Sequence, residues 1–409
     1  MSTAFLFILK TASSFLFLFL LNFNLQSQWV QISTVPTSQL SSVKFFDAYT
    51  GVTCGVGGIW RSTNSGVNWT YVWYVADINA LSFVTNSTGL AAGNDGRILK
   101  TFDGGLTWNV IITSVSENLY AVSIANATVI YAVGQAGRIL KSVNGGNTWS
   151  AQSNPLSDDL RGAFMNDPTF GFLAGGNSNE LVLRTVTGGN NWLTVLNEAG
   201  NNLKGMYAFN YSDVIVCGTN GRIRKTTNAG TFWPLMASGT STQLNSIYFA
   251  DLSTGYSAGN NGTIIKSTNA GVSWTSQQSN TTNNLNSINF INTLTGWAVG
   301  QDGIVMRTGI PVGIKNNESV EPNEFELYQN FPNPFNPKTI IKFKIKDSRF
   351  VSLKVYDLLG REIETLVNGE LKAGEYEVEF DGSDLGSGIY FYQLASDRKK
   401  ITKKMLLIK

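Results

Sequence analysis

Residues 97–108 read RILKTFDGGLTW, and residues 138–149, which lie 41 positions later, read RILKSVNGGNTW. Six segments of this kind end in tryptophan: STNSGVNW, TFDGGLTW, SVNGGNTW, TVTGGNNW, TTNAGTFW and STNAGVSW. Their tryptophans, Trp69, Trp108, Trp149, Trp192, Trp233 and Trp274, are spaced by 39, 41, 43, 41 and 41 residues. Self-similarity at a fixed period of that length marks a repeat architecture. Each segment follows a Gly-rich turn and an alternating strand, as in GNDGRILK, GQAGRILK and GTNGRIRK. Ahead of these lies another strand pair, as in LYAVSIANATVIYAVG and LNSINFINTLTGWAVG. One unit is therefore about 41 residues and four short strands, the make-up of one β-propeller blade.

Counting the strands fixes the number of blades. The L-x-x-I-x-F pattern occurs seven times, first as LSSVKFF and last as LNSINFI. The third-strand pattern also occurs seven times and ends with GIVMRT at 303–308. Only six tryptophan strands follow such a unit, and QWVQI at 28–32 matches NWTYV and TWNVI. The segment 28–32 is thus expected to supply the outer strand of blade seven and close the ring, leaving no open seam. Cys54 and Cys217 share a repeat position with Ala92, Val133, Ala174, Ala258 and Val299, which makes both core residues in distant blades rather than a disulfide. Blade four carries two extra residues in GGNSNELVLRT, read as a protruding loop.

Bulk composition agrees with this reading. The 409 residues are 43% hydrophobic and only 14% charged, with 41 glycines and 9 prolines, which favours short strands and tight turns. A net charge of +2 gives no bulk drive toward nucleic acid or anionic membranes. Histidine is absent, which removes the commonest general base, the Ser-His and Cys-His pairs, and most catalytic zinc sites. No motif for a cofactor or a metal stands out. Residues 1–27 read as a secretory signal, with Lys10 ahead of the apolar run SFLFLFLLNF and Ser27 at the cleavage edge; an uncleaved anchor is the alternative. No later run approaches the length of a transmembrane helix.

The S/T-x-N/D-x-G-x-T/S-W pattern resembles the Asp-box, or BNR repeat, of sialidases and other propellers. The span 28–310 is similar to seven-bladed BNR propellers that include the photosystem II stability and assembly factor. The resemblance implies a partner-binding face without identifying the partner, because the repeat occurs in unrelated activities. The motif's Asn or Asp is suited to accept backbone N–H groups across the turn between strands three and four. Only Asp103 is a carboxylate among the six copies, so a catalytic or calcium-binding role is not expected of the motif.

The charged residues divide into two sets. Arg61, Lys100, Lys141, Arg184, Lys225, Lys266 and Arg307 precede the motif position in all seven blades and read as solvated rim charges. Arg97, Arg138 and Arg222 follow the glycine of the turn between strands two and three, on the face that binds ligands in propellers. Arg97 and Arg138 lie on adjacent blades and are a candidate two-pronged anion site. Asp95 and Asp302 occupy the same turn in blades two and seven; Asp-Gly also suits a tight turn. A surface glycoside hydrolase of sialidase-like or xyloglucanase-like type needs a carboxylate pair. The propeller offers 13 acidic residues, of which only Glu117, Glu180 and Glu198 are glutamates.

After residue 311 the composition changes. Residues 311–324 read as a linker, and 325–409 as six or seven alternating strands in a small Ig-like antiparallel β-sandwich. Charge is denser here, with 15 acidic and 15 basic residues in 312–409. The segment resembles the type A C-terminal sorting domain of the type IX secretion system of Bacteroidetes-like bacteria. The resemblance is carried by NPFNP at 333–337, YDLLGR at 356–361, Gly374, GIY at 388–390 and the basic tail 399–409. It implies contact with the secretion machinery and export to the surface of a Gram-negative cell. A fibronectin-like adhesion module is the alternative. The sequence therefore reads as an all-β, non-enzymatic, secreted propeller that binds a protein or glycan at the cell surface, with no nucleic-acid partner.

Overall fold

The computed structural model describes residues 29–74, 77–154, 156–308, 325–347, 349–371, 373–383, 385–397 and 399–409. The signal segment 1–27 and the linker 311–324 lie outside the described residues.

Residues 29–308 form seven antiparallel sheets in a ring. Blade one runs Leu40–Phe45, Gly51–Gly55, Gly58–Ser62 and Thr70–Tyr74; blades two, three, four and six repeat that order, and blade five repeats its first three strands. The first strand of each blade is innermost and packs against the first strands of both neighbours, with Leu285–Phe290 against Leu40–Phe45 completing the circle. Second strands are buried end to end, so they read as continuous small and apolar runs such as GLAAG and VIVCG. The seventh sheet takes its outer strand from the other end of the chain. Val30–Thr34 pairs with Ile304–Thr308 in the register Val30↔Arg307 to Thr34↔Ile304. The strand thus lies two residues later than 28–32, and Gln28 lies outside the described residues.

Seven apolar clusters hold the ring together, one at each seam. Trp108 sits with Val52, Cys54 and Ile59 of blade one and Ala91 and Leu99 of blade two. Trp192, Trp233 and Trp274 fill the corresponding seams three–four, four–five and five–six. Trp69 and Trp149 are half-buried at seven–one and two–three. Trp29 completes the set at six–seven, fully buried and edge-on to Tyr256 and Phe290 at 6.4 and 5.8 Å. Edge-to-face packing is the favoured geometry for such rings. Both cysteines are buried and free, and burial pushes their thiols well above the ordinary value.

The seven basic residues are not solvated rim charges. Arg61 Nε donates to the Gly104 carbonyl at 3.0 Å, Lys141 Nζ to Gly188 at 2.7 Å, Arg184 to Ala229 at 2.6 Å and Lys225 Nζ to Ala270 at 2.7 Å. Lys100 Nζ reaches Asn147 Oδ1 at 2.9 Å. These five cations thus cap the motif turn of the next blade, while Lys266 lies over the Tyr256 ring and Arg307 over the Trp297 ring. Burial pushes Lys100, Lys225 and Lys266 below the ordinary lysine value. Alternation along the strand indicated which side each residue faces, but not that a carbonyl some 45 positions away waits there.

Blades four and five depart from the repeat. The extra residues of blade four do not form a loose loop. They lengthen its third strand to Asn179–Thr185, which pairs with an equally long outer strand, Leu193–Ala199. Blade five has three regular strands, because Pro234 removes a ladder donor and leaves a single bridge, Arg224↔Leu235.

Residues 325–409 form two sheets. Glu326–Leu327, Lys338–Ile345 and Gly374–Asp381 make one; Glu362–Leu371, Arg349–Tyr356, Gly388–Ser396 and Lys400–Leu407 make the other. Alternation places Ile341, Phe343, Val378 and Phe380 of the first against Val351, Leu353, Tyr392 and Leu394 of the second. Lys342 and Lys344 point outward to Glu377 and Glu375, at 2.5 Å each. In the NPFNP stretch, the Phe335 N–H donates to the Leu406 carbonyl, and the Ile408 N–H donates back to Phe335, which covers part of the last strand's free edge. Asp357 builds the YDLLGR turn by accepting from the N–H groups of Leu359 and Arg361, both at 2.9 Å.

Closure of the ring by Val30–Thr34 makes a direct prediction. Trp29→Ala should destabilise the protein by about 3–5 kcal/mol in denaturant melts, the cost of emptying a buried tryptophan site. An unchanged midpoint would contradict the shared seventh blade.

Candidate functional site

The conspicuous motif turns out to be a joint. In blade two the Thr101 hydroxyl donates to Asp103 Oδ1 at 2.8 Å, while Thr101 Oγ1 accepts the Gly105 N–H at 3.0 Å. Asp103 Oδ1 also accepts the Thr107 N–H at 2.9 Å. In blade one Ser62 and Asn64 do the same at 3.0, 3.0 and 2.9 Å. Thr187 Oγ1 accepts the Asn191 N–H at 3.1 Å. One oxygen suffices for the turn, so Asn or Thr replaces Asp without loss. Gly105 has φ +81°, where an L side chain is strained.

The face formed by the turns between strands two and three is the candidate interaction surface. Asp95 and Asp302 have φ +55° each, as Ala136, Asn220 and Asn261 do at the same turn position with φ between +52° and +54°. The Asp95 N–H donates to Asn118 Oδ1 at 3.1 Å, and the Asp302 N–H to the Ser38 carbonyl at 2.8 Å. Both residues therefore stitch neighbouring blades. They stand on blades two and seven, with blade one between them.

Arg138 forms an ion pair with Glu117, so it is not one prong of an open anion site with Arg97. Glu117 in turn is held below the usual carboxylate range, chiefly by its bond from the Arg138 guanidinium. Arg222 Nε donates to Glu180 at 2.8 Å. Glu180 is fully buried and also receives Arg224, whose guanidinium continues to Glu198 and to the Trp233 carbonyl. All three propeller glutamates are thus ion-paired. Arg224 escaped the sequence reading, although its signal was visible: the strand IRKT places an arginine where the other six blades are apolar.

The inner strands end at the same face, because Leu119, Leu160 and Leu203 pair with Gly134, Gly175 and Gly218. Their second residues are Tyr120, Arg161 and Lys204. Arg161 stacks over the Tyr120 ring at 4.3 Å and bonds Asp159 at 2.8 Å. Lys204 is pushed below its ordinary value by burial and then by the charge of Arg161, against a weaker pull from Asp159. Among the described residues no cluster of His, Cys, Asp and Glu is fit to hold a metal ion, and no helix is long and apolar enough to cross a membrane.

A family model described as photosynthesis system II assembly factor YCF48 matches residues 61–163 and 234–309. Another, described as a secretion system C-terminal sorting domain, matches residues 329–409. No curated protein matches the chain. Among solved structures, YCF48 bound to a D1 peptide superposes with a TM-score of 0.58 at 18% identity, over 69% of this chain and 96% of that one. YCF48 from Cyanidioschyzon merolae gives 0.58 at 16% identity, over 69% and 99%. The WD40 propeller domain of Doa1 gives 0.56 at 13% identity, over 69% and 97%. At such identities the likeness shows the propeller fold alone.

The Glu117–Arg138 pair is testable by itself. A carboxyl titration followed by NMR should place Glu117 below about 4.3, its unperturbed value. Arg138→Met should return it toward that value. Because the folded-state value is depressed, the pair's stabilisation is present above about pH 4.3 and is lost as pH falls through the folded value. A Glu117 that titrates normally in the unaltered protein would refute the pairing. The chain is therefore a seven-bladed β-propeller, similar over two of its stretches to the YCF48 family model, followed by a segment that matches a secretion system C-terminal sorting domain.

Proposed function

We propose that the propeller is a non-enzymatic binding module, exported through its sorting domain, that takes an acidic segment of a surface protein at the end of its inner strands marked by Tyr120, Arg161 and Lys204. The observation that carries this reading is the crowding of two cations around Asp159. Lys204 holds its proton at a cost that an incoming carboxylate would relieve. Tyr120 gives the same spot an aromatic wall already engaged by Arg161. A YCF48 propeller has been solved with a D1 peptide, so this fold accommodates a peptide ligand. After export the domain 325–409 is removed, and the propeller is either attached to the outer surface or released.

The glycoside hydrolase reading finds little support. A general acid must carry a proton near neutral pH, whereas Glu117 is held the other way by Arg138. Glu180 and Glu198 are tied to Arg224, and Asp95 and Asp302 sit in turns on separate blades.

Capture of surface proteins by the exported chain, followed by affinity measurement, tests the proposal. Arg161→Ala and Lys204→Ala should each weaken binding by about tenfold, and raised salt should weaken it further. Polysaccharide hydrolysis that disappears in Asp95→Asn or Asp302→Asn would overturn it.

A further inference from the structure

The chain breaks its own repeat at one seam. The third-strand position held by Trp60, Leu99, Leu140, Leu183, Ile265 and Met306 becomes Arg224 in blade five. The residue before the motif tryptophan is polar in five copies and is Phe232 in the sixth. The turn glycine present in the other six blades becomes Glu180 in blade four. These departures converge in space. The outer strand of blade four, with Val195 and Glu198, and the segment 231–235 of blade five enclose a pocket of about 330 Å³ with Arg224 in its wall. That volume lies at the small-ligand end of the range for binding pockets.

Stability alone does not explain the cluster. Burying Glu180 and Arg224 carries a desolvation cost that the apolar residues of the other blades avoid. Rules broken without local gain are expected at functional sites. The segment 164–233, which supplies most of the pocket, is also the stretch between the two matched parts of the propeller.

The chemistry of the wall selects a ligand. The charged side chains in the wall are Arg224 and Glu198, which pair with each other, while Glu180 and Arg222 pair behind them, so the site offers no net charge to an ion. The Glu198 side chain is 52% exposed and supplies an acceptor. Arg224 has five N–H groups, three of which are engaged by Glu180, Glu198 and the Trp233 carbonyl, leaving one N–H on each terminal nitrogen of a guanidinium held in place. Phe232, 65% exposed, adds an aromatic face. An acceptor, two N–H donors and a flat apolar ring around a neutral pocket match the neighbouring hydroxyls and the C–H face of a pyranose. We propose that the blade four–five seam binds a neutral sugar unit of a glycan, at a site separate from Tyr120, Arg161 and Lys204 and independent of the reading above.

The full exported chain can be titrated with cellotetraose, mannotetraose and chitotetraose, and with sialyllactose as an acidic probe, by saturation-transfer NMR. At least one neutral oligosaccharide should bind saturably. Glu198→Gln and Phe232→Ser, the latter restoring a polar residue of the repeat at an exposed position, should each weaken it by about tenfold. Asp302→Asn should leave it unchanged. No binding by any neutral oligosaccharide, binding of sialyllactose alone, or binding indifferent to either substitution would overturn the proposal. Loss of acidic-protein capture in Lys204→Ala with sugar binding intact would separate the two sites.

Discussion

Closure of the ring is the constraint on which the propeller depends. No blade has a core of its own: every apolar cluster lies between two neighbours, and the last cluster exists only because Trp29 and Val30–Thr34 return to blade seven. An open ring would expose a sheet edge and an apolar seam together. The cationic caps follow the same logic, since each joins a strand of one blade to the motif turn of the next. Stacking of Phe45 on Trp297, with centroids 3.6 Å apart, ties blade one to blade seven from within.

Much of this was legible because the repeat is written in residues with narrow physical uses. Glycine at positive φ, tryptophan at the seams and alternation in the strands all survive in a single sequence. The third-strand cations were misread for an equally physical reason: alternation gives a side, and a hydrogen-bond partner in another blade has no local signature. Glu117 and Arg138 lie 21 positions apart, so nothing nearby in sequence announces their pairing. Blade four's insertion was visible, but whether two residues bulge or lengthen a hairpin depends on the partner strand, and Leu193–Ala199 is long enough to accept them.

The proposed sugar site lies where the repeat is broken. The tryptophan-ended motif, present in six copies, shapes turns and needs no charge. Arg224, Glu180 and Phe232 each occur once: Arg224 and Phe232 line one pocket at the blade four–five seam, and Glu180 pairs with Arg224. A repeat protein offers an internal standard of this kind: a position that is apolar in six blades and charged in the seventh is informative without any relative to compare. The sorting domain is built on different lines, with a continuous two-sheet core and charged outer ladders, in keeping with an element that acts as a unit in export.

Hydrogen exchange across the seventh blade reads closure of the ring itself. Amides in Val30–Thr34 and Ile304–Thr308 should be protected as strongly as those in the outer and third strands of blade four, Leu193–Ala199 and Asn179–Thr185, because the two pairs are equivalent in a closed ring. Fast exchange of both segments, with the other six blades still protected, would show an open seam and contradict it.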